Sequence, residues 1–131
     1  MGKPRILVAD DEEDIVTTLR FGLEQEGYEV FTASDGEGAL QCAYTVSPDA
    51  ILLDVMMPKE NGYRVARKIR DREQFDHAGT RVPIILLTAR NLTYDPESEE
   101  KVMEFSQADL MIYKPFDLDE LMQRVRAFLE N

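Results

Sequence analysis

The sequence predicts a doubly wound α/β domain, with a five-stranded parallel sheet and five helices. Two observations carry this. Five short apolar runs, rich in β-branched residues, recur along the chain and read as strands buried on both faces. Between them lie segments whose apolar residues return at the helical period. Strand and helix therefore alternate five times, which implies right-handed crossovers. The length of 131 residues suits one domain spanning 1–131.

Ile6-Leu7-Val8-Ala9 is the first strand. Ile15, Val16, Leu19 and Leu23 form the stripe of the first helix, and Gly27 ends it. Val30-Phe31 marks the second strand. Ala39, Leu40, Ala43 and Tyr44 mark the second helix, closed by Pro48. Ala50-Ile51-Leu52-Leu53 is the third strand, and Val65, Ala66 and Ile69 define the third helix. A long connection is expected from Asp71 to Val82.

Ile84-Ile85-Leu86-Leu87 is the fourth strand, and a second long connection runs from Arg90 to Asp95. Asp95-Pro96 reads as an N-cap with a first-turn proline, and Glu97, Glu99 and Glu100 follow where the helix dipole favours negative charge. Leu110-Met111-Ile112-Tyr113 is the fifth strand. Leu118, Leu121, Met122, Val125, Phe128 and Leu129 make the last helix.

Fifteen Lys and Arg stand against 26 Asp and Glu, a net charge of −11. Such a surface repels phosphate backbones and anionic membranes, so neither direct nucleic-acid nor membrane binding is expected. The one cysteine, Cys42, excludes an internal disulfide and fits a reducing compartment, the cytoplasm. On its helix face it reads as a packed, inert thiol. His77, in a polar stretch, reads as a solvated loop residue. Met56 and Met57 read as packing residues.

The residues at the strand ends are chemically unusual. In an open α/β sheet functional groups collect at the carboxyl ends of the strands. Asp10 and Asp11 end the first strand, Asp54 the third, Thr88 the fourth and Lys114 the fifth. Two unit charges about 4 Å apart repel by roughly 4 kcal/mol at an effective dielectric near 20. Three carboxylates together therefore call for a cation, and their hard oxygens suit Mg²⁺. Beside such a metal an aspartate becomes a credible phosphoryl acceptor, with Lys114 and Thr88 to hold phosphoryl oxygens. Singly, each aspartate would be a helix cap and Lys114 a solvated charge at a strand end. Five such residues at four strand ends are not explained as caps.

The segments Ile6 to Glu12 with its Asp10-Asp11 pair, Leu52 to Pro58 with Gly62 after it, Leu86-Leu87-Thr88-Ala89, and Lys114-Pro115-Phe116 resemble the receiver domain of two-component response regulators. The resemblance covers essentially the whole chain. It implies a flavodoxin-like sheet in the order 2-1-3-4-5. It implies that Asp54 accepts phosphate from a histidine kinase or phosphotransfer protein. Mg²⁺, with Mn²⁺ as a substitute, would be held by Asp11, Asp54 and the backbone carbonyl of Met56, with Asp10 acting through water. Thr88 and Ala89 would meet the phosphoryl group, Lys114 would pair with it, and the Lys114-Pro115 bond would be cis. The domain would be no enzyme beyond its own phosphorylation and dephosphorylation.

Three departures stand out. The aromatic switch usual three residues before the lysine is Met111, the glycine usual at the end of the fourth helix is Gln107, and the loop after Thr88 is longer than usual. Met111 and Tyr113 should share one face of the fifth strand, so Tyr113 is a candidate for a relocated switch; in the rival account Tyr113 packs under the last helix and Met111 fills the vacated space. Lys101, Asp109, Glu120 and Arg124 are expected to pair across a homodimer face made by the fourth helix, fifth strand and fifth helix. The alternatives weighed are a phosphorylation-independent docking scaffold, a haloacid-dehalogenase-type phosphatase and a nucleotide or flavin binder. The phosphatase would want a second aspartate where Met56 stands, and the binder a first loop less acidic than Asp10 to Asp14.

Overall fold

A computed structural model describes residues 2–76, 81–89 and 96–130. Its elements run β1 (Arg5–Ala9), α1 (Glu13–Gln25), β2 (Glu29–Ala33), α2 (Gly36–Val46), β3 (Ala50–Asp54), α3 (Gly62–Asp76), β4 (Ile84–Ala89), α4 (Pro96–Ser106), β5 (Leu110–Lys114) and α5 (Leu118–Glu130). The strands form one parallel sheet in the order β2-β1-β3-β4-β5. The doubly wound architecture and the 2-1-3-4-5 order are as the sequence implied.

Alternation along the strands splits the core in two. Ile6, Val8, Leu52, Ile85 and Leu87 face α1 and α5, where Leu19, Leu23, Leu121, Met122 and Val125 meet them. Leu7, Ala9, Ile51, Leu53, Ile84 and Leu86 face the other way, onto Ala39, Val65, Ala66 and Ile69. β1 (after Arg5), β3 and most of β4 are thus buried on both faces. β2 and β5 are not: as edge strands they keep part of their surface, and every residue of β5 is half-buried. An apolar run alone does not distinguish an edge strand from a central one.

The helix ends have local causes. Gly27 takes a φ of 93°, and Tyr28 N–H donates to the Leu23 carbonyl while Gly27 N–H donates to Glu24, closing α1 in a Schellman turn. Ser47, left-handed at φ 54°, closes α2 just before Pro48. α3 takes up the first six residues of the expected Asp71–Val82 connection, ending at Asp76. The extension has no apolar stripe. It is held by i,i+4 ion pairs, Arg67 to Asp71 and Arg72 to Asp76, each at 3.1 Å. His77, the Arg90–Asp95 connection and the Asp95 cap lie outside the described residues.

Candidate functional site

β1 and β3 lie side by side, so their carboxyl ends bring Asp10 and Asp54 together, and both are buried. Asp10 N–H donates to the Ala33 carbonyl, and Val55 N–H donates to the Leu87 carbonyl, fixing the chain just beyond each strand. Asp54 Oδ1 accepts from Met56 N–H at 3.3 Å, and Asp10 Oδ1 from Glu12 N–H at 2.9 Å. Behind Asp54 the chain returns so closely that a Cβ on Gly62 would stand 2.2 Å from the Asp54 carbonyl oxygen. Only glycine fits there.

Lys114 enters from the end of β5. Its ammonium lies 2.8 Å from Asp10 Oδ2, 2.9 Å from Glu12 Oε1 and 3.5 Å from Asp54 Oδ1. Its side chain is only 9% exposed, so it is not the solvated strand-end charge that the sequence suggested. Burial pulls the ammonium towards neutrality, but contact with Asp10 and Glu12 and the Asp54 charge outweigh it and hold Lys114 protonated well above its ordinary range. Asp54 moves the other way. Burial first, then the Asp10 charge, push its carboxyl up to about 7, against the pull of Lys114 and the Met56 N–H.

Among the described residues, one carboxylate oxygen each of Asp10, Glu12 and Asp54 fall within 4.8 Å of one another. Asp10 Oδ2 is buried and takes no hydrogen bond; its contact with Lys114 is one of charge without hydrogen-bond alignment. A buried carboxylate oxygen without an aligned hydrogen bond, in a cluster of hard oxygens, fits a divalent cation such as Mg²⁺. Asp11 does not join the cluster. It is exposed and, with Met56, Lys59 and Arg64, lines an open groove of about 570 Å³ beside it. The Met56 side chain is 71% exposed and does not pack, whereas Met57 does.

Thr88 and Ala89 end β4 opposite Tyr113 and Lys114. The Lys114-Pro115 peptide is cis. Met111 packs into the core on the α3 side. The Tyr113 hydroxyl donates to Glu99 Oε2 of α4 at 2.5 Å. Gln107, where a glycine was expected, takes the left-handed conformation itself at φ 58°. Its carbonyl accepts from Arg70 at 2.9 Å and from Arg81 at 3.0 Å.

The sequence reading missed two residues. Glu12 is the N-cap residue of α1, and its carboxylate makes no cap bond but accepts from Lys114. Arg70 is 4% exposed and binds the Gln107 and Val82 carbonyls, Glu73 and Asp109. Its place four residues after Ala66, on the buried stripe of α3, was the available signal. Asp109 also pairs with Arg81 and accepts the Ile84 N–H. Its carboxylate is thus paired within the chain on both oxygens.

A cluster of acids at the switch point of a 2-1-3-4-5 sheet, closed by a lysine from the last strand, matches one family closely. Residues 6–126 fit the family described as "Response regulator receiver domain". The chain is a response regulator receiver domain. It is 44% identical over 128 residues to the alkaline phosphatase synthesis transcriptional regulatory protein PhoP of Bacillus subtilis (strain 168), covering 97% of this chain and 49% of that protein. The chain thus spans about half the length of this curated relative. The receiver domain of the Francisella response regulator 1452 superposes with a TM-score of 0.83 at 30% identity, over 98% of each chain. A putative response regulator from Chloroflexus aurantiacus J-10-fl superposes equally well, at 0.83 and 32%, over 99% of this chain and 100% of that one.

Receiver domains are generally signalling modules, not enzymes; they bind Mg²⁺ at an acidic pocket and work with histidine kinases or phosphotransfer proteins. Membership of the family sets aside the phosphatase and nucleotide-binding alternatives. Among the described residues no helix is long and apolar enough to cross a membrane.

Proposed function

We propose that residues 1–131 act as one receiver unit in which Asp54 takes a phosphoryl group from a phosphohistidine. The observation that carries this is the placement of Asp54 at the end of β3, buried between Asp10 and the Lys114 ammonium. An Asp54 carboxylate oxygen forms the new bond to phosphorus while the phosphorus–nitrogen bond breaks and the electron pair leaves with the imidazole. Asp11, Asp54 and the Met56 carbonyl would hold Mg²⁺, with Asp10 assisting through water, and Mn²⁺ would substitute. Bound there, Mg²⁺ supplies positive charge to the carboxylates and to the incoming phosphoryl oxygens. Thr88 and the Ala89 N–H receive phosphoryl oxygens, and Lys114 pairs with the added charge. The unit catalyses nothing beyond gaining and losing its own phosphoryl group.

Tyr113 replaces the usual switch aromatic, coupling Thr88, its register partner, to α4 through Glu99. The output is altered partner binding or a homodimer through α4, β5 and α5, with Glu120 and Arg124 on that face. The strongly acidic surface argues against direct nucleic-acid binding, and the lone cysteine is consistent with the cytoplasm. Incubation with acetyl phosphate and Mg²⁺ should add one phosphoryl mass, labile to hydroxylamine. Asp54→Asn should abolish it; undiminished labelling of that variant would reject Asp54 as the acceptor.

A further inference from the structure

We propose that Glu12 is an internal anion that occupies Lys114 until a phosphoryl group displaces it. Glu12 Oε1 lies 2.9 Å from the Lys114 ammonium. The other close carboxylates, of Asp10 and Asp54, come from the buried floor of the site, whereas the Glu12 side chain is 59% exposed. Glu12 therefore approaches from the open side, which is the side a donor must use. It sits at the N-cap of α1 but leaves that helix end uncapped by its side chain. Its backbone N–H, by contrast, braces Asp10 Oδ1 at 2.9 Å, so the side chain can leave Lys114 without disturbing the buried aspartate.

A phosphoryl group on Asp54 adds negative charge beside an ammonium already shared among three carboxylates. The hydrogen bond that Lys114 makes among the described residues is to Glu12, and a phosphoryl oxygen arriving from the open side competes for that donor. Asp10 and Asp54 are fixed by the strands, so the exposed partner is the one that yields. Glu12 thereby competes with phosphorylation and keeps Lys114 in place while the site is empty of phosphate. It is a positioning residue for Lys114, and this inference rests on Lys114 being the phosphoryl partner.

The experiment measures beryllofluoride affinity at saturating Mg²⁺ for the unaltered chain, Glu12→Gln and Glu13→Gln, and Mg²⁺ affinity separately by calorimetry. The amide keeps the size of Glu12 and removes its charge; Glu13→Gln removes the same charge one residue away, in the exposed first turn of α1. Glu12→Gln should bind beryllofluoride about two- to fivefold more tightly, the worth of a half-exposed ion pair. Glu13→Gln should match the unaltered chain. Equal or weaker binding by Glu12→Gln, or equal tightening in both variants, overturns the inference while the receiver chemistry stands. If the unaltered chain takes up neither Mg²⁺ nor beryllofluoride, the receiver reading fails and this inference falls with it.

Discussion

The Tyr113 hydroxyl donates to Glu99 Oε2 across 2.5 Å, joining β5 to α4 on the side of the sheet where Met111 packs. A phenol one residue before the site lysine therefore touches the helix that borders the proposed output face.

Tyr113→Phe should remove that bond. Thermal stability is expected to fall by about 1 kcal/mol, the net worth of one hydrogen bond. Phosphorylation of Asp54 should proceed normally, while beryllofluoride-induced shifts in α4 amides or dimer formation should change. NMR of both forms, with and without beryllofluoride, makes the comparison. An identical α4 response would return Tyr113 to a packing role.

Lys114→Ala should damage the metal-free fold. It removes the ammonium from two buried carboxylates, a change expected to cost about 3 kcal/mol at pH 8. Mg²⁺ should restore part of the loss by mass action. Denaturant unfolding with EDTA and with Mg²⁺ measures both. A loss below about 0.5 kcal/mol would mean that the carboxylates relax into water.

Stability should depend on pH through Asp54. Its carboxyl is pushed up to about 7 from an ordinary 3.8, so the folded chain holds this proton more tightly than the unfolded chain. The resulting stabilisation is complete below pH 3.8 and is lost as pH rises through about 7. In EDTA, the melting temperature of Asp54→Asn should gain on that of the unaltered chain as pH goes from 5 to 8. A constant difference would remove Asp54 as the source.

Gly62→Ala should be costly. The new methyl would meet the Asp54 carbonyl oxygen at 2.2 Å, and both partners are held by the backbone. A loss of at least about 2 kcal/mol is expected, together with slower labelling of Asp54 as its strand end shifts. Thermal melts and acetyl phosphate labelling of the same sample test the two effects together.

Arg70→Met should be more destructive than its surface-like sequence context suggests. The methionine fills part of the space but leaves Asp109 and the Gln107 carbonyl with fewer donors. About 3 kcal/mol is expected for stripping a buried charge of its partner. Urea unfolding would show it.

The central strands were legible because β1 and β3 bury both faces, leaving an uninterrupted apolar run. The end of α3 was not, because Arg72 and Asp76 sustain it by charge and Phe75 there is exposed, so no stripe continues. Asp10, Asp54 and Lys114 were legible from their positions at strand ends. Glu12 was not: within the exposed run Asp11-Glu12-Glu13-Asp14 nothing separates the carboxylate that reaches Lys114 from its neighbours. Which carboxylate turns is decided by the reach of Lys114, a residue 102 positions away.

The two ends of α4 are held differently. Near its carboxyl end, Arg67 donates to the Phe105 carbonyl at 3.0 Å and lies over the Phe105 ring, while Tyr63 meets that ring edge-on. Arg70 and Arg81 grip Gln107 just beyond. Towards its amino end the Tyr113 hydroxyl reaches Glu99 from β5. An eleven-residue helix is roughly 16 Å long, so the Tyr113 contact meets α4 six residues ahead of the clasp at Phe105. A push delivered beside Thr88 through Tyr113 would therefore strike the helix at Glu99 and tilt it against the arginines that hold its far end.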